Sequence, residues 1–308
     1  MKITALLACG VIALAAVGCG SSSKKSSSTT KSAAAATGQK CPGGSVSFGV
    51  EPYDSGAKFT AAYQALTTAV SQNLGCPVKL IVATSYTAEV EAMRAKKLDL
   101  GEFGPLGYVF AHKLANAEPI VAFGDASHKP VTYTAGIWVP KKSSIKTVAQ
   151  LKGKKVALAD PASTSGSLYP KFAITQAGLS ASQVHLQYAG SHPASLLALT
   201  HGKVDAGEVN SQQQATASAA GQFKTSDYRE IWKSTPIEND PITIRGDLPP
   251  AFKQAVTQAF LKLTPAQLKL VDTELGVDSG PMVPAADSLY TGIRDVVNTE
   301  HLDISAIG

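Results

Sequence analysis

Three consecutive hydroxyl side chains stand between a predicted strand and a predicted helix. Ser163, Thr164 and Ser165 follow the strand at residues 155–159, within the run ADPASTSGSLYP. A helix N-terminus presents unpaired N–H groups and a partial positive charge, and hydroxyl groups add further donors. These residues therefore suit either a cradle for a tetrahedral oxyanion or ordinary N-capping, which Ser and Thr also perform.

Two ionisable residues extend this polar set. His192 lies 29 residues after Ser163 and precedes Pro193, at the start of another predicted helix. Asp240 lies in an Asn-Asp-Pro sequence, which on its own predicts a turn. Taken without further context, both residues are also compatible with purely structural roles at a helix start and a turn.

A hydrolase built from these residues would need a nucleophile and a base. Ser163 or Ser165, with His192 and either Asp160 or Asp240, is the only candidate set in the sequence. The chain contains no Gly-x-Ser-x-Gly elbow, and donors that hold an anion need no nucleophile. We therefore expect a binding protein and not an enzyme.

The charge of the chain is unevenly distributed. The 308 residues carry a formal net charge of +5, but five lysines precede Glu51, the first acidic residue. From residue 41 onward, 23 basic residues face 23 acidic ones. A neutral folded part lacks the cationic surface that nucleic-acid binding requires, so no nucleic-acid partner is expected. The length allows two domains with substantial cores.

The N-terminus has the pattern of an export signal. Residues 1–18 combine Lys2 with an apolar run that is shorter than the about 20 residues needed to span a bilayer. Small residues before Cys19 resemble a bacterial lipobox, which predicts a lipid on Cys19; ordinary cleavage and secretion is the alternative. Residues 19–40 are rich in Ser, Lys and Ala, the composition of a flexible tether. We therefore expect an extracytoplasmic lipoprotein anchored to the cell membrane.

The two cysteines of the folded part can pair. Cys41 and Cys76 each precede a predicted strand, at 46–50 and 78–83, and a bridge between the starts of neighbouring strands suits an oxidising compartment. No cluster of His, Cys and Asp with metal-ligand spacing accompanies them. The sequence thus predicts a disulfide and neither a metal site nor a cofactor.

From residue 41 onward, short β-branched runs alternate with longer helical patterns. This alternation predicts an α/β fold with largely parallel sheets covered by helices. The predicted strands are 46–50, 78–83, 98–103, 120–123, 133–139, 155–159, 185–188, 204–209, 230–233, 236–237 and 241–245. The predicted helices are 59–74, 88–97, one after Ser165, 193–201, 250–263, 265–275 and 287–298.

The second α/β unit is inserted between the first unit and the helical tail. We expect one lobe at 41–133 plus 241–308 and a second lobe at 134–240, joined by two crossing segments. Clefts between domains are common sites for small ligands. The predicted cleft is therefore the place to look for a ligand.

Several segments of the chain together resemble one family. They are Tyr86 before a helix, Gly104–Tyr108, Asp160–Pro170, Ala189–His192, Gly202–Ala206 and Trp232–Pro241. The family is that of the phosphonate- and phosphite-binding proteins of ABC importers, and the resemblance covers nearly all of residues 46–260. It implies a type II-like periplasmic-binding-protein fold, with two lobes that close over the ligand, and a membrane permease as partner.

The resemblance also implies roles for individual residues. The hydroxyls and amides of Ser163, Thr164 and Ser165 resemble the family's oxyanion-binding set. Tyr86 and Tyr133 would be the phenol donors from the facing lobe and hinge. His192 would supply the imidazole that contacts the same anion. Asp240 stands where the family has an acidic residue near a protonated ligand oxygen. An acceptor there would favour binding of a ligand that carries a P–OH group over binding of sulfate.

Three further residues are candidates for the pocket. Family members that bind aminoalkylphosphonates resemble one another in having a Glu about twenty residues beyond the His, where this chain has Gln212. A neutral amide cannot neutralise an ammonium group, and an unpaired buried charge is costly. Glu208 either accepts from a P–OH group or is a solvated strand end, and Tyr108 lies in one of the resembling segments.

The expected function follows from these residues and the resemblance. The ligand would be a small phosphorus oxyanion: phosphite, a short alkylphosphonate such as methylphosphonate, or phosphate. The protein would capture it and deliver it to an importer. A lipid-anchored sensor or adhesion module on the same fold remains an alternative, because fold does not fix function.

Overall fold

The computed structural model describes residues 41–54, 56–277 and 280–303. The predicted signal peptide at 1–18, the lipid site Cys19 and the linker at 19–40 lie outside these residues. No helix within the described ranges is both long enough and apolar enough to cross a membrane.

The described residues form two larger sheets and one two-stranded sheet. The strands are β1 Val46–Val50, β2 Val78–Val82, β3 Leu100–Glu102, β4 Ala117–Phe123, β5 Thr132–Tyr133, β6 Gly136–Pro140, β7 Lys155–Leu158, β8 His185–Tyr188, β9 Ala206–Glu208, β10 Tyr228–Lys233, β11 Ile237–Glu238, β12 Pro241–Arg245 and β13 Met282–Pro284. The helices are α1 Ala57–Leu74, α2 Tyr86–Arg94, α3 Pro105–Ala115, α4 Tyr169–Gln176, α5 His192–Thr200, α6 Ser211–Ala219, α7 Pro250–Leu261, α8 Pro265–Leu275 and α9 Thr291–Thr299. The α/β class predicted from the sequence is confirmed.

The first sheet has the strand order β13-β4-β12-β3-β1-β2. β1 pairs in parallel with β2 and β3, whereas β12 runs antiparallel to both β3 and β4. Helix α1 packs on this sheet because Phe59, Tyr63, Leu66 and Val70 recur at helical spacing and are all buried. The helix ends at Gly75, whose φ of 71° is a conformation that favours glycine.

The second sheet has the strand order β10-β6-β9-β7-β8. β7 pairs in parallel with β8 and β9, and β6 runs antiparallel to β9 and β10. Separate apolar clusters pack on this sheet, one around Val139, Val156 and Ile174 and another around Trp138 and Leu199. Because β7 and β9 are parallel, the residues after both strands come to the same edge of the sheet.

The chain crosses between the two sheets at two short strands. β5 precedes the second sheet and β11 follows it, and the two pair antiparallel through Tyr133 opposite Ile237. The predicted strand at 133–139 is divided into β5 and β6, since the N–H groups of Thr134 and Ala135 donate to the hydroxyls of Ser211 and Ser234 (3.0 and 2.9 Å). Those two N–H groups are thus lost to strand pairing.

A disulfide joins Cys41 and Cys76, whose Cα atoms are 6.0 Å apart. It ties the residues before β1 to those before β2, two strands that are direct neighbours in the first sheet. This is the pairing expected from the sequence, at a place where both strands begin.

Candidate ligand-binding site

A cavity lies where residues that follow strands of both sheets meet. It is small, since the space open to the centre of a water-sized probe is about 10 Å³, roughly what a single water molecule requires. Its lining is polar and consists of Glu51, Tyr53, Gly104, Tyr133, Ser163, Thr164, Ser165, His192, Asn210, Gln212 and Asp240. A site of this size suits only a small polar ligand.

The three hydroxyl residues open a π-helical turn at Thr164–Leu168 that leads into α4. The hydroxyl of Ser163 accepts the N–H of Gly166 at 3.1 Å and so caps the turn. Gly166 is required there, because a Cβ would lie 2.6 Å from the Cβ of Ala159 and 2.9 Å from the ring of His192. Capping and exposure to the cavity are therefore combined in one side chain, and the two interpretations from the sequence do not exclude each other.

His192 begins α5 and is buried between two polar partners. Its Nε2 lies 3.1 Å from the hydroxyl of Ser163, and its Nδ1 lies 3.1 Å from the carboxylate of Glu208. The ring of Tyr53 packs at 4.8 Å between centroids. The imidazole is thus held on three sides beside the hydroxyl cradle.

The other two hydroxyls have fixed partners as well. The backbone N–H of Leu106 donates to Thr164 at 2.9 Å, and the amide of Asn210 donates to Ser165 at 3.2 Å. In both cases the hydroxyl oxygen accepts, so its own proton remains available to donate. Such protons, together with the N-terminal N–H groups of the turn, form the donor set that an oxyanion requires.

Two carboxyl groups line the same cavity. Burial raises the pKa of Asp240 to about 7, against the opposing charge of His192. Burial also raises the pKa of Glu51 well above its usual range, and the nearby charge of Asp240 adds to this. Glu51 accepts the N–H of Gly104 at 2.7 Å. Protonated, these groups donate to an anion; ionised, they accept from a ligand O–H group.

Tyrosines surround the cavity. Tyr133 lines it, and burial raises the pKa of its phenol well above the usual value. Tyr86 does not line the cavity; burial raises the pKa of its phenol well above the usual value, and the charges of Glu51 and Asp240 raise it further. Its hydroxyl has no hydrogen-bond partner within the described part of the chain. Phenols with raised pKa stay protonated near neutral pH and remain donors.

The cavity gathers most of the residues expected from the sequence. Those that line it are Ser163, Thr164, Ser165, His192, Asp240, Tyr133 and Gln212, whereas the expected phenol donor Tyr86 is not among the lining residues. Gln212 donates to the side-chain oxygen of Asn239 at 3.2 Å. No lysine or arginine is among the lining residues, so the described wall offers neutral donors and a single imidazole.

Two expectations require correction. Glu208 is neither a solvated strand end nor part of the lining: it is fully buried at the end of β9 and pairs with His192. Tyr108 is also absent from the lining, because its hydroxyl donates to Asp287 at 2.5 Å and its ring packs on Tyr290. A motif position alone did not reveal which way either side chain points.

Four lining residues were missed in the sequence: Glu51, Tyr53, Gly104 and Asn210. All four come one to three residues after β1, β3 or β9, which are parallel strands of their sheets. Ligands in α/β folds bind outside the carboxyl ends of such strands. That rule, applied to the predicted strands, would have indicated them.

Within the described ranges, no group of three or more His, Cys, Asp or Glu side chains is arranged to hold a metal ion.

Comparison with known proteins places these observations in a family. Residues 48–290 match the family of ABC transporter, phosphonate, periplasmic substrate-binding proteins. The chain is 27% identical over 276 residues to the phosphate-import protein PhnD of Mycolicibacterium smegmatis, covering 82% of this chain and 84% of that protein.

Two solved structures share the fold. A binding-protein component of an ABC phosphonate transporter from Pseudomonas aeruginosa is similar with a TM-score of 0.74, at 23% identity over 83% of this chain and 86% of that one. PhnD1 of Prochlorococcus marinus, in complex with methylphosphonate, has a TM-score of 0.73, at 22% identity over 84% of this chain and 98% of that one. The fold is that of type II periplasmic binding proteins, and the chain belongs to the family of periplasmic substrate-binding proteins of phosphonate ABC transporters.

Proposed function

We propose that this protein captures a small phosphorus oxyanion in the cavity and delivers it to the membrane permease of an ABC importer. The ligand class is phosphite, a short alkylphosphonate or phosphate. The observation that carries the proposal is the convergence of the Ser163–Ser165 cradle, His192 and Asp240 on one small polar cavity. Family membership supports it, as do relatives whose names specify phosphate import and a methylphosphonate complex.

The charge of the lining favours a protonated oxyanion. Two carboxyl groups, Glu51 and Asp240, face a cavity whose lining contains no lysine or arginine. Once Asp240 is ionised, at a pH above about 7, a ligand that carries a P–OH group can donate to its carboxylate, whereas sulfate carries no proton and meets an unpaired acceptor. The site is therefore expected to prefer a phosphorus oxyanion with a P–OH group to sulfate, because only the former can donate a hydrogen bond to the carboxylate.

The protein is proposed to consist of two lobes that close on the ligand. Residues 41–133 and 241–308 would form one lobe and residues 134–240 the other, with the paired strands β5 and β11 as the hinge. Contacts from both lobes to one anion supply the differential binding that any ligand-driven closure needs. A lipid on Cys19 would hold the protein at the membrane surface.

The protein is proposed to bind its ligand without changing it. Ser163, His192 and Glu208 have the spacing of a nucleophile, a base and an acid. However, the Ser163 hydroxyl already caps the turn at Gly166, in a cavity too small for an ester with a sizeable leaving group. We expect methylphosphonate to be recovered unchanged after prolonged incubation, as measured by ³¹P NMR, and 4-nitrophenyl methylphosphonate to release no nitrophenol.

A thermal-shift screen tests the function. Purified, ligand-stripped protein is heated with phosphite, methylphosphonate, phosphate, 2-aminoethylphosphonate or sulfate. A ligand that binds only the native state raises apparent stability by RT ln(1 + [L]/Kd), so the ligands can be ranked directly. We expect a shift with phosphite, methylphosphonate or phosphate and none with sulfate. If no phosphorus oxyanion shifts the transition, the proposed function is wrong and the sensor or adhesion alternative should be pursued.

A further inference from the structure

We propose that Glu208 is a positioning residue for anion binding, which fixes the ring orientation and the Nδ1 proton of His192 and so presents Nε2 to the ligand. The inference rests on the proposed function, because it assigns a role within the same site. It concerns a residue that does not line the cavity and therefore acts only through His192.

The geometry of the pair is that of a buried orienting contact. Both carboxylate oxygens of Glu208 lie 3.1 Å from Nδ1 of His192. The side chain of Glu208 is completely buried and that of His192 is 2% exposed. A carboxylate removed from water in this way is costly unless it is paired, and His192 is its partner.

The hydrogen-bond directions follow from the groups involved. An ionised carboxylate only accepts, so the proton between Glu208 and His192 is on Nδ1. Nε2 then faces Ser163 at 3.1 Å, and the Ser163 oxygen already accepts the N–H of Gly166. Nε2 is therefore the ring atom turned toward the cradle.

The position of the ring is reinforced from its other sides. The backbone oxygen of His192 accepts the side-chain N–H of Gln213 at 2.5 Å, and the ring of Tyr53 packs 4.8 Å from the imidazole. These contacts place the residue but leave the ring protons undetermined. Among the residues that the structure describes, only Glu208 is within hydrogen-bond distance of Nδ1, which separates its role from general support of the ring.

Glu208 has a second proposed effect, because its negative charge can compensate positive charge on His192. When Nε2 shares a proton with a bound oxyanion, His192 acquires positive charge at a site whose lining contains no lysine or arginine. The carboxylate of Glu208 compensates that charge and strengthens a charge-assisted N–H···O–P hydrogen bond. Histidines bound to metals are oriented in the same way by carboxylates on their second nitrogen, so the device is a general one.

The test combines a double-mutant cycle with a spectroscopic measurement. Methylphosphonate affinity is measured by calorimetry for the wild type, Glu208→Gln, His192→Gln and the double variant. We expect Glu208→Gln to weaken binding about tenfold, the low end of the loss caused by removing orienting partners of metal-bound histidines. In the His192→Gln background the same change should have no further effect. Glu230→Gln, a half-buried glutamate of β10 without contact to His192, should leave affinity unchanged.

Nitrogen-15 NMR of the histidine rings in the unliganded wild type supplies the second readout. We expect His192 to show a proton on Nδ1. A wild type that binds methylphosphonate while Nδ1 is unprotonated would overturn the inference, even if Glu208→Gln fails to fold. Unchanged affinity in Glu208→Gln, or an equal loss in the His192→Gln background, would overturn it as well. A wild type that binds no phosphorus oxyanion would instead contradict the proposed function, and the NMR result would still test the pairing.

Discussion

The backbone N–H of Leu106, at the start of α3, donates a hydrogen bond of 2.9 Å to the hydroxyl of Thr164. Leu106 follows β3 of the first sheet, and Thr164 follows β7 of the second. A second interaction runs the same way: burial raises the pKa of Asp160, and the backbone N–H groups of Ala162 and Tyr86 act against that increase. The oxyanion cradle therefore also links segments that follow strands of the two larger sheets.

Thr164→Val is expected to weaken ligand binding through this contact. Valine keeps the shape of threonine but leaves the buried N–H of Leu106 without its acceptor, a loss of about 1–3 kcal/mol. Calorimetry with methylphosphonate should show the reduced affinity. Thr164→Ser keeps the hydroxyl and serves as the control. If valine and serine variants bind equally well, the hydroxyl of Thr164 contributes nothing to closure or to the anion.

Ser163→Ala is expected to reduce both affinity and stability. The variant removes a donor for the anion, worth about 1–3 kcal/mol if the bond is buried and charge-assisted. It also removes the cap on the N–H of Gly166, worth about 1 kcal/mol of stability. Ser167→Ala is the matched control, because Ser167 belongs to the same π-helical turn but contacts Tyr188 and does not line the cavity. Equal affinity of the two variants would contradict the site assignment.

Asp240→Asn is expected to reduce discrimination against sulfate. The amide keeps the size of the side chain but adds N–H donors, so a fully deprotonated anion no longer faces a carboxylate. Competition binding at pH 8, above the pKa of about 7 at which Asp240 ionises, should show sulfate gaining relative to methylphosphonate. A discrimination ratio identical to that of the wild type would remove Asp240 from the selectivity mechanism.

The alternation of strands and helices could be predicted from the sequence because the spacing of apolar residues reflects which side chains are buried. Regular apolar spacing marked α1, α7 and α8, and their predicted bounds differ from the structure by two residues or fewer. Three elements were missed: α3, α6 and β13. Helix α6, with the sequence SQQQATASA, has no apolar period, and it forms because Asn210 caps it and because it packs beside α8. Tertiary packing of this kind leaves no local pattern.

Site residues that lie in a motif could be predicted from the sequence, whereas isolated site residues could not. Ser163, His192 and Asp240 were found because they lie in segments that resemble a family. Glu51 precedes an ordinary loop, and its place beside Asp240 results from the order of strands in the first sheet. The role of Glu208 depends on which way one buried side chain points, and strand alternation cannot fix that for a three-residue strand.

Glu102→Gln is expected to make stability less dependent on pH. Burial and the charge of Asp240 raise the pKa of Glu102 to about 8, and Tyr63 donates to it at 2.7 Å. A raised native pKa means that the folded state holds a proton which the unfolded state has released, so stability falls as pH rises from about 4 to about 8. Urea unfolding of the unliganded protein across this range should show a shallower fall in the variant. Parallel profiles would mean that Glu102 is not protonated in the native state.

Gln212→Glu is expected to create affinity for 2-aminoethylphosphonate. Gln212 lines the cavity at the start of α6 and donates to Asn239 at 3.2 Å, so a carboxylate at this position would face the ligand and lose that bond. The new charge can pair with an ammonium group, whose burial beside a neutral amide is unfavourable. The same charge repels an anion without such a group, so methylphosphonate should bind more weakly than to the wild type.

The matched control is Gln214→Glu, which adds the same charge to the same helix at a residue that does not line the cavity. Calorimetry with both ligands measures the ratio of the two affinities in each variant. Only Gln212→Glu should move the ratio toward 2-aminoethylphosphonate, because only there does the carboxylate reach the ligand. An equal shift in both variants would attribute the effect to the overall field of α6, and no shift in either would show that a ligand substituent does not point toward residue 212.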